Sequence, residues 1–242
     1  MTNEAIEFQG LKYPMAALQV LLAQSASAEV RRKYEREGED IFEILKGNEE
    51  FQTAFLDSVV TASKAYVKNV LPYLPEKCAN ILDIGCGIGL VPLLIHNYLQ
   101  GEKPKLYLFD QSVDMKSLTP ADIAPTGFNE TYKFTASLEI TKQFLLLNGV
   151  EEKNISLCEV GAWSLEGAGP FDCVISRKSW GFHYPIDEYL DAVSKELSST
   201  GVVITDVRRG QQGIEKMQAV LSDVAVISEE KKSDLVRGHK LL

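Results

Sequence analysis

Ile81-Leu-Asp-Ile-Gly-Cys-Gly-Ile-Gly89 carries the strongest local instruction in the chain. An apolar run of strand character meets three glycines at alternate positions, and the apolar segment that follows, from Leu90 onward, has helical character. Glycine suits such a strand–helix turn because the chain must bend sharply and leave bare backbone for a ligand to lie against. Two common nucleotide loops do not fit. The dinucleotide pattern G-x-G-x-x-G needs a glycine at position 90, which is Leu90, and a phosphate-cradling loop needs Gly-Lys-Ser/Thr, which does not follow. An acid, Asp83, stands two residues before the first glycine.

Downstream, short apolar runs alternate with helical ones. Strands are expected over 80–84, 105–109, 154–160, 171–176 and 201–205, and helices over 89–99, 135–147 and 213–221. Ile186, Tyr189, Leu190, Val193 and Leu197 form a further helical stripe, and runs at 224–228 and 234–240 read as a closing hairpin. This alternation predicts an α/β fold: a mostly parallel sheet with helices on both faces. Residues 111–130 read as a loop with one short helix. Upstream, residues 1–75 read as helical, with runs over 15–26, around Val30 to Leu45 up to a stop at Gly47-Asn48, and from Phe51 to Leu71. A proline-punctuated connector, 71–77, separates this extension from a domain over 76–242.

Composition narrows the function. The 242 residues are 45% hydrophobic and 24% charged, which excludes disordered and fibrous classes. With 25 Lys+Arg against 34 Asp+Glu the formal charge is −9, a field that repels phosphate backbones and anionic bilayers, so neither nucleic acid nor membrane is expected as a partner. No run approaches the roughly 18 apolar residues of a membrane helix. The first residues lack a basic segment followed by an apolar one. Cys78, Cys86, Cys158 and Cys173 occupy no C-x-x-C spacing. Together these features set the expectation of a cytoplasmic protein with reduced, buried thiols. Nothing in the sequence sets an oligomeric state.

The segment Asp83-Ile-Gly-Cys-Gly-Ile-Gly89 resembles motif I of the class I S-adenosylmethionine-dependent methyltransferases. The next expected strand, Leu106-Tyr-Leu-Phe-Asp110, ends in an acid as the second element of that family does. The resemblance implies a Rossmann-like sheet with an antiparallel C-terminal strand, S-adenosylmethionine as cofactor, and a helical N-terminal extension that caps it. It implies cofactor contacts from Asp83, Gly85, Cys86, Gly87 and Gly89. Asp110, with Gln111 beside it, would hold the ribose, since an ionised carboxylate is an acceptor only and suits a vicinal diol. Where the family often carries Gly-Asp-Ala for the adenine, this chain has Gly161-Ala162-Trp163. Ala162 backbone and the Trp163 ring are the expected replacements; the alternative for Trp163 is an ordinary packed aromatic.

In that family the fourth strand, here Phe171 to Ser176, ends facing the transferring methyl group, which makes Ser176 a further candidate contact. The loop after it, Arg177-Lys-Ser-Trp-Gly-Phe-His-Tyr-Pro185, lacks the Asp/Asn-Pro-Pro-Tyr/Phe motif of amino-methylating nucleic-acid enzymes. It also has Ser176-Arg177 where metal-dependent catechol-type enzymes have a ligating Asp, so no metal is expected. His183 is similar to the histidine of metal-independent hydroxyl methyltransferases and is the candidate general base. A histidine with an unperturbed pKa of about 6.5 suits that task near neutral pH. The alternative is a histidine that only hydrogen-bonds its own loop.

The same loop looks like a stretch in sugar and polysaccharide methyltransferases, which points to a small-molecule or saccharide hydroxyl, with Trp180, Phe182 and Tyr184 enclosing the histidine. Asp206-Val-Arg208-Arg209, expected just beyond the fifth strand, is either an acceptor-binding group or a solvated helix start. Two rival functions remain: a cofactor-binding protein of this fold without transfer activity, and an NAD-dependent oxidoreductase, which Leu90 disfavours.

Overall fold

The computed structural model describes residues 5–25, 47–112 and 137–241. The chain begins with an antiparallel hairpin, β1 (Ala5–Phe8) and β2 (Leu11–Pro14), not with the helix expected for this region. Its turn is Gln9-Gly10, both at positive φ (50° and 77°), the geometry a two-residue hairpin turn demands. Leu11 and Tyr13 are buried while Lys12 between them is exposed, a strand alternation too short to stand out in sequence. The Asn148 side chain then completes β2 from far along the chain. Its Oδ1 accepts from the Lys12 N–H at 2.8 Å and its Nδ2 donates to the Lys12 carbonyl at 2.8 Å.

Helix α1 (Met15–Ser25) and helix α2 (Glu49–Val70) follow. The expected helical run from Val30 to Leu45 lies outside the described residues, as does most of the expected 111–130 loop. At α2, Asn48 is a start rather than a stop: its side chain accepts from the Phe51 N–H at 2.9 Å. Glu49 and Glu50 in the first turn and Lys68 in the last complement the helix dipole. Leu56, Val59, Val60, Ser63, Tyr66, Val67 and Val70 form its buried stripe.

Five strands form the parallel part of a sheet: β3 (Asn80–Ile84), β4 (Lys105–Asp110), β5 (Ile155–Glu159), β6 (Phe171–Ser176) and β7 (Leu197–Arg208). The closing hairpin, β8 (Leu221–Glu229) and β9 (Ser233–Lys240), is present as expected. Strand order is β5-β4-β3-β6-β7-β9-β8, with β9 antiparallel to both its neighbours. Helices α3 (Leu90–Tyr98), α4 (Leu138–Leu147), α5 (Leu190–Glu196) and α6 (Gly213–Val220) connect the strands. The stripe expected from 186 to 197 is divided, its first turn being a 3₁₀ segment, Ile186–Glu188, ahead of α5.

Side-chain alternation gives the sheet two apolar faces. Ile81, Leu106, Leu108, Cys173 and Val202 point to the face covered by the hairpin and helices α1 to α4. Leu82, Ile84, Phe109, Val174 and Val203 point to the other, with Trp180, Leu190 and Met217. The described N-terminal residues therefore share one apolar cluster with the sheet. All four cysteines are buried and unpaired. Among the described residues no helix is long and apolar enough to cross a membrane.

Candidate active site

Strand order reverses on either side of β3, since β4 leads one way and β6 the other. The crevice at the carboxyl ends of such strands is where open α/β sheets bind ligands. Parity decides which side chains reach it. Asp83 follows Ile81 by two residues and Asp110 follows Leu108 by two, so both acids belong to the face that α2 covers. Ser176 follows Val174 by two and belongs to the opposite face.

A cavity of about 410 Å³ occupies this crevice. Asp83, Gly85, Cys86, Gly87 and Asp110 line its sheet side. Arg177, Lys178, Ser179, His183 and Tyr184 line it from the loop after β6. Ser58, Val59, Ala62 and Ser63 of α2, with Leu21 of α1, form the facing wall. The volume falls in the range of small-ligand and cofactor sites, ~300–1,000 Å³. Of the residues expected at the cofactor, Asp83, Gly85, Cys86, Gly87 and Asp110 are brought together here, and His183 joins them. Gly89 lies beneath, as the residue that starts α3, packed on Thr141.

Gly89 apart, four expected contacts fall outside the lining. Ser176 is fully buried; its hydroxyl donates to the Ile84 carbonyl (2.7 Å) and accepts from the Trp180 N–H (2.9 Å), so it ties β3 to the following loop. Trp163 packs on Phe109 at 5.5 Å between ring centroids, on the far face of the sheet, while Ala162 and Gln111 are solvent-exposed outside the cavity.

The glycine loop is held from three sides. The Gly85 N–H donates to the Phe109 carbonyl at 2.7 Å. The Gly87 carbonyl accepts from the Thr141 hydroxyl at 2.6 Å, and the Gly87 N–H donates to Asp110 Oδ2 at 2.8 Å. Asp110 Oδ1 accepts from the Gln111 N–H, also at 2.8 Å. Each carboxylate oxygen keeps a further lone pair, so the group is fixed in place yet able to accept two more hydrogen bonds. Burial pushes the Asp110 carboxyl up to about 6, against the opposing pull of its two backbone donors. Asp83, 4% exposed, is pushed well above the usual carboxylate range by burial and then by the Asp110 charge. Burial also raises the Cys86 thiol, the neighbouring carboxylates adding to it.

Gly85 has a further reason to be glycine. At φ +75°, a Cβ there would lie 1.9 Å from Ser179 Oγ and 2.3 Å from Ser179 Cβ. The bare backbone at this position receives a side chain of the post-β6 loop. That loop closes tightly on itself: the Ser179 carbonyl accepts from the N–H groups of Phe182 (3.1 Å), His183 (2.8 Å) and Tyr184 (3.1 Å).

His183 sits exposed at the cavity rim, its ring edge-on to Phe182 at 4.9 Å. Lys178 Nζ and Arg208 lie over the Phe182 ring at 5.0 and 5.3 Å. Partial burial, then the positive charges of Arg208 and Lys178, push the imidazole below its ordinary 6.5. The aromatic enclosure is smaller than expected. Trp180 is a core residue, 1% exposed, whose indole N–H donates to the Ile186 carbonyl at 2.7 Å, and of the three aromatics only Tyr184 lines the cavity.

Asp206 is likewise not beyond its strand, because β7 runs to Arg208. It is buried beneath the loop, where it accepts from the Lys178 N–H and from Lys178 Nζ, both at 3.1 Å. Arg209 is paired with Asp234 at 2.6 Å and Glu229 at 3.1 Å.

The α2 wall and Arg177 were not legible as site residues. Ser58, Ala62 and Ser63 are small side chains, but so are Thr53, Ala54, Thr61 and Ala65 of the same helix, so residue size did not mark the wall in the sequence.

No protein-family model matches the chain, and no curated protein matches it. Solved structures do. A methyltransferase from Pyrococcus furiosus superposes with a TM-score of 0.53 at 12% identity, over 74% of this chain and 83% of that one. A protein from Nostoc punctiforme, provisionally described as an O-methyltransferase, gives 0.52 at 11% identity, over 75% of this chain and 56% of that one. A Methanococcus maripaludis protein, provisionally described as an S-adenosylmethionine-dependent methyltransferase, gives 0.50 at 11%, over 77% and 91%. Strand order, the reversed β9 and these superpositions agree: the chain has the fold of the S-adenosylmethionine-dependent methyltransferases.

Proposed function

We propose that the chain binds S-adenosylmethionine in the cavity and transfers its methyl group to a hydroxyl of a small-molecule or saccharide acceptor, with His183 as general base. One observation carries the cofactor reading. Two carboxyl groups, buried Asp83 and half-buried Asp110, lie on the same sheet face with no cation paired to either among the described residues, at a glycine loop that opens into the cavity. Raised carboxyl groups of this kind favour a ligand that brings positive charge and hydroxyl donors. S-adenosylmethionine has both, and it supplies an electrophilic methyl on a sulfonium.

The remaining roles belong to the chain. Asp110 accepts from the ribose hydroxyls while its backbone donors keep it oriented. Asp83 faces the cationic end. Ser58, Val59, Ala62 and Ser63 close the cavity against water. His183 takes the acceptor hydroxyl's proton as the new C–O bond forms, a contribution of roughly 10²–10⁴-fold. Its lowered pKa supports this role, because a base must be unprotonated at working pH. The reading requires no divalent metal, and among the described residues no group of three His, Cys, Asp or Glu side chains gathers to hold one.

The test is transfer of a labelled methyl group to a panel of nucleotide sugars, oligosaccharides and phenols. Acceptor-dependent formation of S-adenosylhomocysteine together with an O-methyl product is expected, undiminished by EDTA. Labelling confined to an amine or a carbon, or transfer only to RNA or protein, would contradict the acceptor assignment.

A further inference from the structure

Of the two basic side chains in the post-β6 wall of the cavity, Lys178 is paired with Asp206 and Glu230, and the roles above leave Arg177 unused. Its Nη1 donates to Ser63 Oγ at 2.6 Å, and Ser63 in turn donates to the Val59 carbonyl at 2.8 Å, which fixes the hydroxyl as an acceptor. The guanidinium lies over the Tyr66 ring, 5.7 Å from its centroid, and the Tyr66 hydroxyl donates to the Ser176 carbonyl at 3.3 Å. Arg177 is thus pinned by one hydrogen bond and one aromatic face, half-buried, with most of its five donors unspent. Among the described residues no carboxylate lies within 4.0 Å of it, whereas Arg237 has one and Arg209 and Lys178 have two each. A cation held in a half-buried wall without a counter-charge is costly unless an anion arrives to meet it. A fixed guanidinium is the side chain best shaped to receive a carboxylate.

The position of Asp83 says which carboxylate. Asp83 and Arg177 line the same cavity, and both charges reach the Tyr66 phenol, which burial and then Asp206 and Asp83 push up and Arg177 draws down. A buried acid and an unpaired guanidinium that line one cavity are complementary to a group carrying an ammonium and a carboxylate on adjacent atoms, an α-amino-acid zwitterion. A sulfonium alone would be repelled by Arg177.

We infer that Arg177, held by Ser63 and Tyr66, binds the carboxylate at the amino-acid end of the cofactor, opposite Asp83. This rests on the cofactor reading above and assigns a residue to it that neither the glycine motif nor the strand-end acid reveals.

The experiment is calorimetric titration with S-adenosylhomocysteine and with its decarboxylated counterpart, which keeps the amine and thioether. Wild-type protein is expected to prefer the carboxylate-bearing ligand roughly 10- to 100-fold, the range of a charge-assisted hydrogen bond. In Arg177→Gln that preference should shrink to under about threefold through loss of affinity for S-adenosylhomocysteine alone, with part of it restored in Arg177→Lys. Ser63→Ala, which removes only the anchor, should narrow the preference to a smaller extent and serves if Arg177→Gln does not melt cooperatively. Equal wild-type affinity for the two ligands, or an undiminished preference in the variants, would overturn the inference while leaving the cofactor reading intact. Wild-type protein that binds neither ligand would overturn both.

Discussion

Replacing Gly85 by alanine separates two costs that the structure lets one count. The first is conformational: at φ +75° an L-residue is strained by about 1–2 kcal/mol relative to glycine. The second is steric. The new Cβ would meet Ser179 Cβ at 2.3 Å, where carbon atoms pack at about 3.5–4.0 Å, so the loop after β6 must move by more than an ångström. Overpacking of that size costs about 1–3 kcal/mol. Gly85→Ala should therefore destabilise the protein by about 2–5 kcal/mol in urea unfolding, a large share of a typical domain's stability. The partner residue decides which cost is which. Ser179→Ala removes the hydroxyl but keeps the 2.3 Å contact and should give partial relief at most, whereas Ser179→Gly leaves only a Cα at 3.8 Å and should recover the steric part, about 1–3 kcal/mol. A cost for Gly85→Ala that is unchanged in the Ser179→Gly background, or one below about 1 kcal/mol in the wild-type background, would refute the interlock between the glycine loop and the loop that carries His183.

Asp110→Ala should weaken S-adenosylhomocysteine by about 1.5–3 kcal/mol in calorimetry, with a smaller loss for an analogue lacking the ribose hydroxyls. Cofactor binding should also depend on pH with a definite sign. The Asp110 carboxyl titrates near 6 in the free protein and must be ionised to accept two ribose hydroxyls, so binding releases a proton. Affinity should be full above about pH 7 and fall up to tenfold per unit as pH drops below 6, and Asp110→Asn should flatten this slope. With proton removal in the rate-limiting step, His183→Ala should lower kcat by roughly 10²–10⁴ with cofactor affinity unchanged. The wild-type acid limb, activity present above the lowered imidazole pKa and lost as pH falls through it, should vanish in that variant.

What the sequence revealed was local. The turn from β3 into α3 is written in contiguous residues, so Asp83 and Asp110 were legible as acids at the carboxyl ends of neighbouring strands, while their shared face follows from the strand register. The closing hairpin was legible for the same reason. What stayed hidden depends on partners far along the chain. β2 is completed by Asn148, 136 positions away. Arg177 is held by Ser63 across 114 positions, and no local pattern joins them. Asp206 looked like a loop acid because Gly201 to Thr205 seemed a whole strand, but β7 continues to Arg208 alongside β9. Ser176 was expected at the cofactor because a strand-end position names a residue near the crevice without saying which face its side chain takes, and Trp163 follows the packed-aromatic alternative. Only Val174 and Phe109, one parity step or one packed ring away, show that both belong to the other face.

Titration calorimetry of the wild-type protein with S-adenosylhomocysteine at neutral pH decides whether this cavity holds the adenosyl cofactor. A single saturable site is expected, with no comparable heat from NAD and with loss of binding in Gly87→Val that still unfolds cooperatively. Folded wild-type protein that shows no saturable binding of S-adenosylhomocysteine, or that binds NAD in its place, would contradict it.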